Sequence, residues 1–329
     1  MVEKTLAFAK EKLNGNKKID KTKKKKEDPV KERKIISLVL TASIFLSVFF
    51  YLTAHWPNLR LDLSLPSLPR SLPRIIAPSA PLESKIDNIV LGRLGEQKNN
   101  WAVWIEDLNS GFIWSYQEKE IFPSDSLAKL GAAATLYQQA EAGEISLSSK
   151  VILTQEDFQG GSGNLKDSPV GSEISLNAAA MLCLSQSDNT SFNLITRFLS
   201  EQLISRNIFS QGMINTSLEN KTTTAADLAL FFQKLYRNQL LSPEFKEEML
   251  NNLAEGAFAD YLPKNLPQGI KTAHQVSEGL NSLSDAGIVF VPQKPILLIF
   301  LAKNIPPDQA KVIIADLSKD VYWFLVAPR

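Results

Sequence analysis

The chain has 329 residues, 44% of them hydrophobic, which is enough for a packed core and excludes an intrinsically disordered protein. Its net charge of +1 hides an asymmetry, because residues 1–35 carry 13 Lys and Arg against 6 Asp and Glu, whereas the remainder carries 23 against 29. Since the larger part of the chain is acidic, no nucleic acid partner is expected.

An uncharged apolar segment runs from Ile36 to Ala54 and is closed by His55 and Trp56. At roughly 19 residues it is long enough to cross the hydrocarbon core of a bilayer as a helix. A cleaved signal peptide is the alternative, but the basic leader is long and no small-residue cleavage site is evident. The positive-inside rule predicts a cytoplasmic tail (1–35), a single transmembrane helix (36–56) and an extracellular remainder, which is a cell-membrane location.

The segment 57–81 contains six of the 17 prolines, a spacing typical of an extended polyproline II spacer. We therefore expect a stalk over 57–81 and a single domain over 82–329.

Within that domain, apolar spacing predicts a helix over 82–94, and alternation around Asn109-Ser110-Gly111 predicts a hairpin. Helices are then predicted near 126–142, 175–185, 191–203, 224–237 and 242–254. The end of the chain predicts two strands, AGIVFV and ILLIFLA, followed by a helix over 309–325. Strands from both ends with helices between them indicate one antiparallel sheet flanked by helices, an α+β fold.

The segment PSDSLAKL places Ser126 at the start of a helix, with Lys129 one turn further along the same face. A lysine can take the proton of a serine hydroxyl if burial and nearby cations favour its neutral form. The alternative is that Ser126 and Lys129 are ordinary polar residues on a solvent-exposed helix face. A Ser-His-Asp triad is disfavoured, because His55 lies beside the membrane segment and no G-x-S-x-G elbow surrounds any serine.

Two further segments follow in order: Ser187-Asp188-Asn189, and Lys271-Thr272 ahead of the predicted strand pair. The series S-x-x-K, S-D-N and K-T resembles the motifs of class A β-lactamases and penicillin-binding proteins. The resemblance covers about residues 82–329 and implies an antiparallel sheet packed against an all-helical subdomain, as in β-lactamases and transpeptidases, with the site in the cleft between them.

The resemblance also implies a role for each matched residue. Ser126 would be the nucleophile, Lys129 its base and Ser187 a proton relay to the leaving nitrogen. Asn189 would hold the amide side chain of the substrate, and Lys271 with Thr272 would bind its carboxylate. The backbone N–H groups of Ser126 and His274 would form the oxyanion hole.

The sequence departs from the family pattern at two places. Ala273 stands where the third motif prefers glycine. The loop that carries the water-activating glutamate of class A enzymes is missing or much shortened between Thr216 and Thr222, and Glu219 is its only acid. These departures predict a complete acylation site and slow deacylation, with Glu219 as a possible deacylating group.

Three functions remain open at this point. The first is a membrane-anchored, class A-like serine hydrolase that forms an acyl-enzyme on Ser126 with a β-lactam. The second is a DD-carboxypeptidase or penicillin-binding enzyme that acts on peptidoglycan stem peptides. The third is a non-catalytic ectodomain that binds wall peptide.

No cofactor or metal is predicted. The two histidines and the lone Cys183 have no ligand spacing, and Cys183 is expected to be a small buried side chain.

Overall fold

The computed structural model describes residues 82–326 and the isolated residue 47. The predicted tail, transmembrane helix and stalk lie outside the described residues, apart from Ser47. Among the described helices, none combines the length and apolar character needed to cross a bilayer.

A five-stranded antiparallel sheet organises the described residues. In chain order its strands are β1 Trp101–Asp107, β2 Ile113–Tyr116, β7 Thr272–Gly279, β8 Ser282–Val289 and β9 Ile296–Lys303. Across the sheet they lie in the order β2-β1-β9-β8-β7. The central strand β9, ILLIFLAK, is buried on both faces, as its unbroken apolar run requires. The prediction of one antiparallel sheet flanked by helices is confirmed.

The terminal helices α1 (Leu82–Leu94) and α8 (Pro307–Val326) cover one face of the sheet, where Ile86, Ile314 and Val321 share a core with the strands. Both helices agree closely with their predicted ranges.

The middle of the chain supplies the helices α2–α7. Their bounds are α2 Ala128–Glu141, α3 Leu176–Ser185, α4 Asn189–Leu199, α5 Glu201–Ser210, α6 Ala225–Tyr236 and α7 Pro243–Ala254. They share a second core with the other face of the sheet. Helix α2 lies inside this layer, and its first ten residues are all buried. Its small residues let neighbours approach closely, since a Cβ on Gly131 would lie only 2.5 Å from Ile208 Cδ1.

Two of the predicted helices differ from the structure. The helix predicted over 126–142 begins at Ala128, because Ser126 lies in a 3-10 turn over Asp125–Leu127. The helix predicted over 191–203 ends at Leu199, since Ser200 has a φ of +71° and caps a separate helix, α5.

Two short strand pairs position the loops around the site. β3 (Phe122–Pro123) pairs with β6 (Thr222–Thr223), and β4 (Lys150–Ile152) pairs with β5 (Glu173–Ser175). The first pair matters most, because β3 leads directly into the turn that carries Ser126. It holds the short loop before β6 against that turn, and the Ser124 N–H donates to the Lys221 carbonyl at 2.8 Å.

Candidate active site

Ser126 and Lys129 lie together at the start of α2. Lys129 is one turn beyond Ser126, and its side chain is only 2% exposed. The Lys129 Nζ lies 3.3 Å from Ser126 Oγ. The alternative of two polar residues on a solvated helix face is therefore excluded.

The segment Ser187-Asp188-Asn189 joins α3 to α4 and faces Lys129. Asp188 caps α4, where its carboxylate accepts from the Ser191 N–H at 2.7 Å. Ser187 has a φ of +50°, in the left-handed region that a non-glycine residue adopts only when its surroundings enforce it. This conformation brings both the carbonyl and the hydroxyl of Ser187 towards Lys129.

Lys129 is the centre of a buried polar network. Besides Ser126 Oγ, its Nζ contacts the Ser187 carbonyl at 2.6 Å, Ser187 Oγ at 2.9 Å and Asn189 Oδ1 at 2.7 Å. An ammonium has only three N–H donors for these four oxygens. A neutral amine would instead present a lone pair that can accept the Ser126 hydroxyl proton, so the arrangement suits a serine nucleophile with a lysine base.

A glycine-rich loop, QGGSGN over 159–164, forms a wall of the site that sequence reasoning missed. The Asn189 Nδ2 donates to the Gly160 carbonyl at 2.8 Å, and the Leu165 N–H donates to Asp188 Oδ2 at 2.9 Å. Gly163 has a φ of +87°, and a Cβ there would lie 2.0 Å from Asp188 Oδ2. The signal that could have predicted this loop is its high glycine content, because glycines allow close packing of the backbone.

The edge strand β7 forms the opposite wall. The Ser126 N–H donates to Ser277 Oγ at 3.1 Å, which fixes the part of β7 that borders the nucleophile. The pair Lys271–Phe290 is hydrogen-bonded, and hydrogen-bonded and open pairs alternate along an antiparallel ladder. By this alternation, Glu278 and Leu283 form a non-hydrogen-bonded pair. The Glu278 N–H therefore points away from β8, towards the free edge of the sheet. The N–H groups of Ser126 and Glu278 are thus the two candidate oxyanion donors.

Ser126 borders two connected depressions. The helix-side arm, of about 380 Å³, is lined by Gln159, Gly161, Asn189, Phe192, Leu218 and Lys221, among others. The strand-side arm, of about 570 Å³, is lined by Ser187, Phe258, Tyr261, Val276, Gly279 and Leu280, among others. Ser162 and Glu278 contribute to both arms.

A family model described as the beta-lactamase enzyme family matches residues 81–325. The chain belongs to the beta-lactamase enzyme family. It is accordingly a β-lactamase-like serine hydrolase, as the sequence predicted.

Solved structures share this fold. A beta-lactamase from Sphaerobacter thermophilus is 22% identical over 75% of this chain and 99% of its own, with a TM-score of 0.69. PBP-A is 21% identical over 73% of this chain and 94% of its own, with a TM-score of 0.67. A PBP-A variant in an acyl-enzyme complex with penicillin G gives 22% identity, the same coverage and the same TM-score. No curated protein matches the chain.

The structure corrects the prediction that Lys271 and Thr272 form the third motif of the site. Lys271 and Thr272 lie at the start of β7, and Thr272 is five residues, about 16 Å of extended strand, from Ser277. The Lys271 Nζ instead donates to Asn251 Oδ1 at 2.6 Å and lies over the Phe290 ring. Neither Lys271 nor Thr272 lines the depressions at Ser126. The stretch of β7 beside the nucleophile reads Gln275-Val276-Ser277-Glu278, without a lysine.

His274 likewise does not reach Ser126 with its backbone. Its N–H lies four residues, about 13 Å, from that of Glu278 along the strand. The His274 side chain is buried, and Nδ1 lies 2.7 Å from Asp285 Oδ1. Asp285 Oδ2 accepts from the Leu262 N–H at 2.9 Å, so this pair holds the loop that carries Phe258 and Tyr261. His274 supports a wall of the cleft instead of the oxyanion hole.

The shortened loop before β6 also differs from the family pattern. Glu219 lies in a separate surface depression with Glu201 and Arg206, and does not line the cleft at Ser126. Leu218 and Lys221 border the helix-side arm instead. Among the described side chains that line either arm, Glu278 is the one carboxylate, and its Oε2 accepts from the Tyr261 hydroxyl at 2.8 Å.

Cys183, in α3, is fully buried, and burial raises the pKa of its thiol to about 12. This agrees with its predicted role as a small buried side chain.

Proposed function

We propose that Ser126 attacks acyl carbonyls and forms a covalent acyl-enzyme, with Lys129 as its base. The observation that carries this proposal is the buried network in which Lys129 Nζ contacts Ser126 Oγ, Ser187 Oγ and Asn189 Oδ1. Lys129 is buried and so does not serve as a solvated surface charge. It contacts the side chains of Ser126, Ser187 and Asn189, which the sequence predicted to act together.

Each step can be assigned to an atom of the site. Neutral Lys129 takes the proton of Ser126 as Oγ bonds to the carbonyl carbon, and the negative oxygen is held by the N–H groups of Ser126 and Glu278. When the carbon–nitrogen bond breaks, Ser187 Oγ gives its proton to the nitrogen and recovers one from Lys129. The lysine therefore returns to its neutral state, and the acyl group stays on Ser126.

Hydrolysis of that acyl-enzyme is proposed to be slow. Glu219 does not line the cleft, and the Glu278 carboxylate is engaged by Tyr261. A site that acylates without a free water-activating carboxylate would react with a β-lactam much as a penicillin-binding protein does. PBP-A, whose variant is trapped with penicillin G, shares the fold. This supports β-lactams as probes, and peptidoglycan stem peptides are the alternative substrate that we propose.

We further propose that residues 36–56 anchor the enzyme in the cell membrane, with residues 1–35 in the cytoplasm and the catalytic domain outside. The support is the length of the uncharged segment and the basic residues that precede it.

The test uses the full-length protein in detergent and intact-mass measurement over time. It is treated in parallel with a fluorophosphonate, which labels activated serines generally, and with benzylpenicillin. Ser126→Ala should abolish both adducts, whereas Ser149→Ala, at an exposed serine ahead of β4, should retain them. Equal labelling of wild type and Ser126→Ala would refute the proposal, and the absence of both adducts from both proteins would favour a non-catalytic, wall-peptide-binding domain.

A further inference from the structure

We propose that the strand-side arm selects acyl substrates with an uncharged apolar group, and not a carboxylate, beside the bond that Ser126 attacks. This inference rests on the acyl-enzyme chemistry proposed above. It concerns the leaving side of the substrate, because Ser187, the candidate proton relay, lines this arm.

None of the described residues that line this arm is a cation. Lys129 lines the helix-side arm, where its Nζ is engaged by the buried network, and Lys221 lines that arm as well. Lys311 does not line the arm; its Nζ lies 4.4 Å from the Tyr261 ring centroid and 4.0 Å from the Asp260 carboxylate. A substrate carboxylate would therefore lose its hydration without gaining an ion pair.

The side chain of Gln275 favours the same selectivity. It lies two residues before Ser277, so both side chains project from the same face of β7 towards the layer that holds Ser126. Gln275 is fully buried, and its Oε1 has no hydrogen-bond partner. A neutral amide, and not an ammonium, thus occupies the face of β7 that leads to the nucleophile.

One part of the arm is lined by apolar side chains. Phe258 and Tyr261 pack edge to face, with ring centroids 5.9 Å apart, and Val276 adds a buried aliphatic surface. Leu280, at the tip of the β7–β8 hairpin, is 92% exposed beside them. The aromatic wall is held in place, because the Leu262 N–H bonds to Asp285. An apolar ligand group would cover these surfaces and release their water.

Glu278 adds a negative charge to the lining of the arm. This exposed carboxylate borders both arms, next to its own N–H in the candidate oxyanion hole. A carboxylate on the leaving side of a substrate would approach a like charge, which disfavours binding. A neutral group would not.

The experiment compares benzylpenicillin with its methyl ester, which differ only in the masking of the carboxylate. Acylation rates of the full-length protein are measured by intact mass and divided by the alkaline hydrolysis rate of each compound. We expect the ester to acylate at least tenfold faster than the free acid. Glu278→Gln should reduce this preference severalfold, and Gln275→Lys should reduce or reverse it.

The outcomes separate this inference from the proposed function. An equal or higher normalised rate for the free acid would overturn the inference. Fluorophosphonate labelling of Ser126 without acylation by either compound would also overturn it, because an uncharged leaving side would then be insufficient for entry. Loss of fluorophosphonate labelling would refute the acyl-enzyme proposal itself. If the buried Gln275→Lys variant does not fold, the Glu278→Gln ratio decides.

Discussion

The two walls of the cleft relate differently to the family pattern. The helical wall brings Ser126, Lys129, Ser187 and Asn189 into one hydrogen-bonded network, as their motifs predicted. The sheet wall instead presents Gln275-Val276-Ser277-Glu278 where a lysine-containing motif was expected. In the proposed mechanism, the groups that activate the nucleophile thus lie in the helical wall, whereas the residues that replace the expected lysine motif lie on β7.

This separation has a physical basis. The network around Lys129 is buried, and a buried polar group without its partner is costly, so its members depend on one another. On β7, by contrast, Gln275 Oε1 has no hydrogen-bond partner and Glu278 is exposed, so a change at either position leaves fewer buried groups without a partner. Substitutions in the helical wall should therefore affect chemistry and folding together, whereas those in the sheet wall should affect reactivity and selectivity.

The largest effect is expected for Lys129→Met. It removes the base and leaves Ser187 Oγ and Asn189 Oδ1 without their buried donor. Loss of a general base should lower the acylation rate by about 10²–10⁴-fold, measured with the fluorophosphonate. Lys221→Met, at the other lysine of the cleft, is the matched control and should change the rate little. A comparable loss in both variants would contradict a specific role for Lys129.

The second prediction concerns the glycine-rich loop that completes the helical wall. In Gly163→Ala, the new Cβ would collide with the Asp188 carboxylate, and the residue would keep an unfavourable φ of +87°. Gly171→Ala is a close control, since Gly171 has the same φ and nothing within 4 Å of its ideal Cβ.

The backbone cost alone is about 1–2 kcal/mol of unfolding free energy, and Gly171→Ala should show no more than that. Gly163→Ala should lose more in a urea titration, together with acylation of Ser126. Equal losses in the two variants, with acylation intact, would show that the Gly163–Asp188 contact does not organise the site.

The sequence predicts the helical wall of the site better than the sheet wall. Lys129 follows Ser126 by one helical turn, and Asp188 caps the helix beginning at Asn189, so local spacing alone positions these residues. The edge of β7 is different, because the position that faces Ser126 depends on how the sheet packs against α2, a tertiary contact that spacing along the chain does not show. The sequence Lys271-Thr272 matched the motif by composition but lies at the wrong end of the strand.

The helix boundary at Ser200 and the separate helix α5 were missed for a related reason. A serine with a φ of +71° gives no compositional signal, unlike a glycine. The role of His274 could not be predicted either, since its partner Asp285 is on the next strand and its effect is on the loop at Leu262.

The third prediction addresses the sheet wall through Ser277. Its Oγ accepts the Ser126 N–H, the donor that the developing oxyanion needs. Ser277→Ala should free this donor and raise the acylation rate by about two- to tenfold, the equivalent of one hydrogen bond of modest net strength. Ser277→Thr retains a hydroxyl and should remain near wild type. A slower Ser277→Ala enzyme would instead show that the hydroxyl donates to the oxyanion.

The smallest expected effect is that of pH on the unfolding free energy, through the ion pair of Asp157 and Arg197. This pair connects the segment ahead of the glycine-rich loop to α4. The Asp157 carboxylate is buried and accepts from Arg197 Nε at 2.7 Å and from the Thr154 N–H at 2.8 Å. Burial raises the pKa of Asp157, but these hydrogen bonds outweigh it and hold the pKa below its ordinary value.

Because the folded-state pKa is lowered, the contribution of Asp157 to stability is fully present above the unfolded pKa of about 3.9 and is lost as the pH falls through the lower folded value. Between pH 7 and pH 3, urea titrations should therefore show a smaller loss of unfolding free energy in Arg197→Met than in wild type, by about 1 kcal/mol. Lys150→Met removes the more exposed pair with Glu173 and should behave as wild type does. If Lys150→Met and Arg197→Met share one pH dependence, the acid sensitivity does not arise from the helical wall, and the contrast between the two walls is one of chemistry alone.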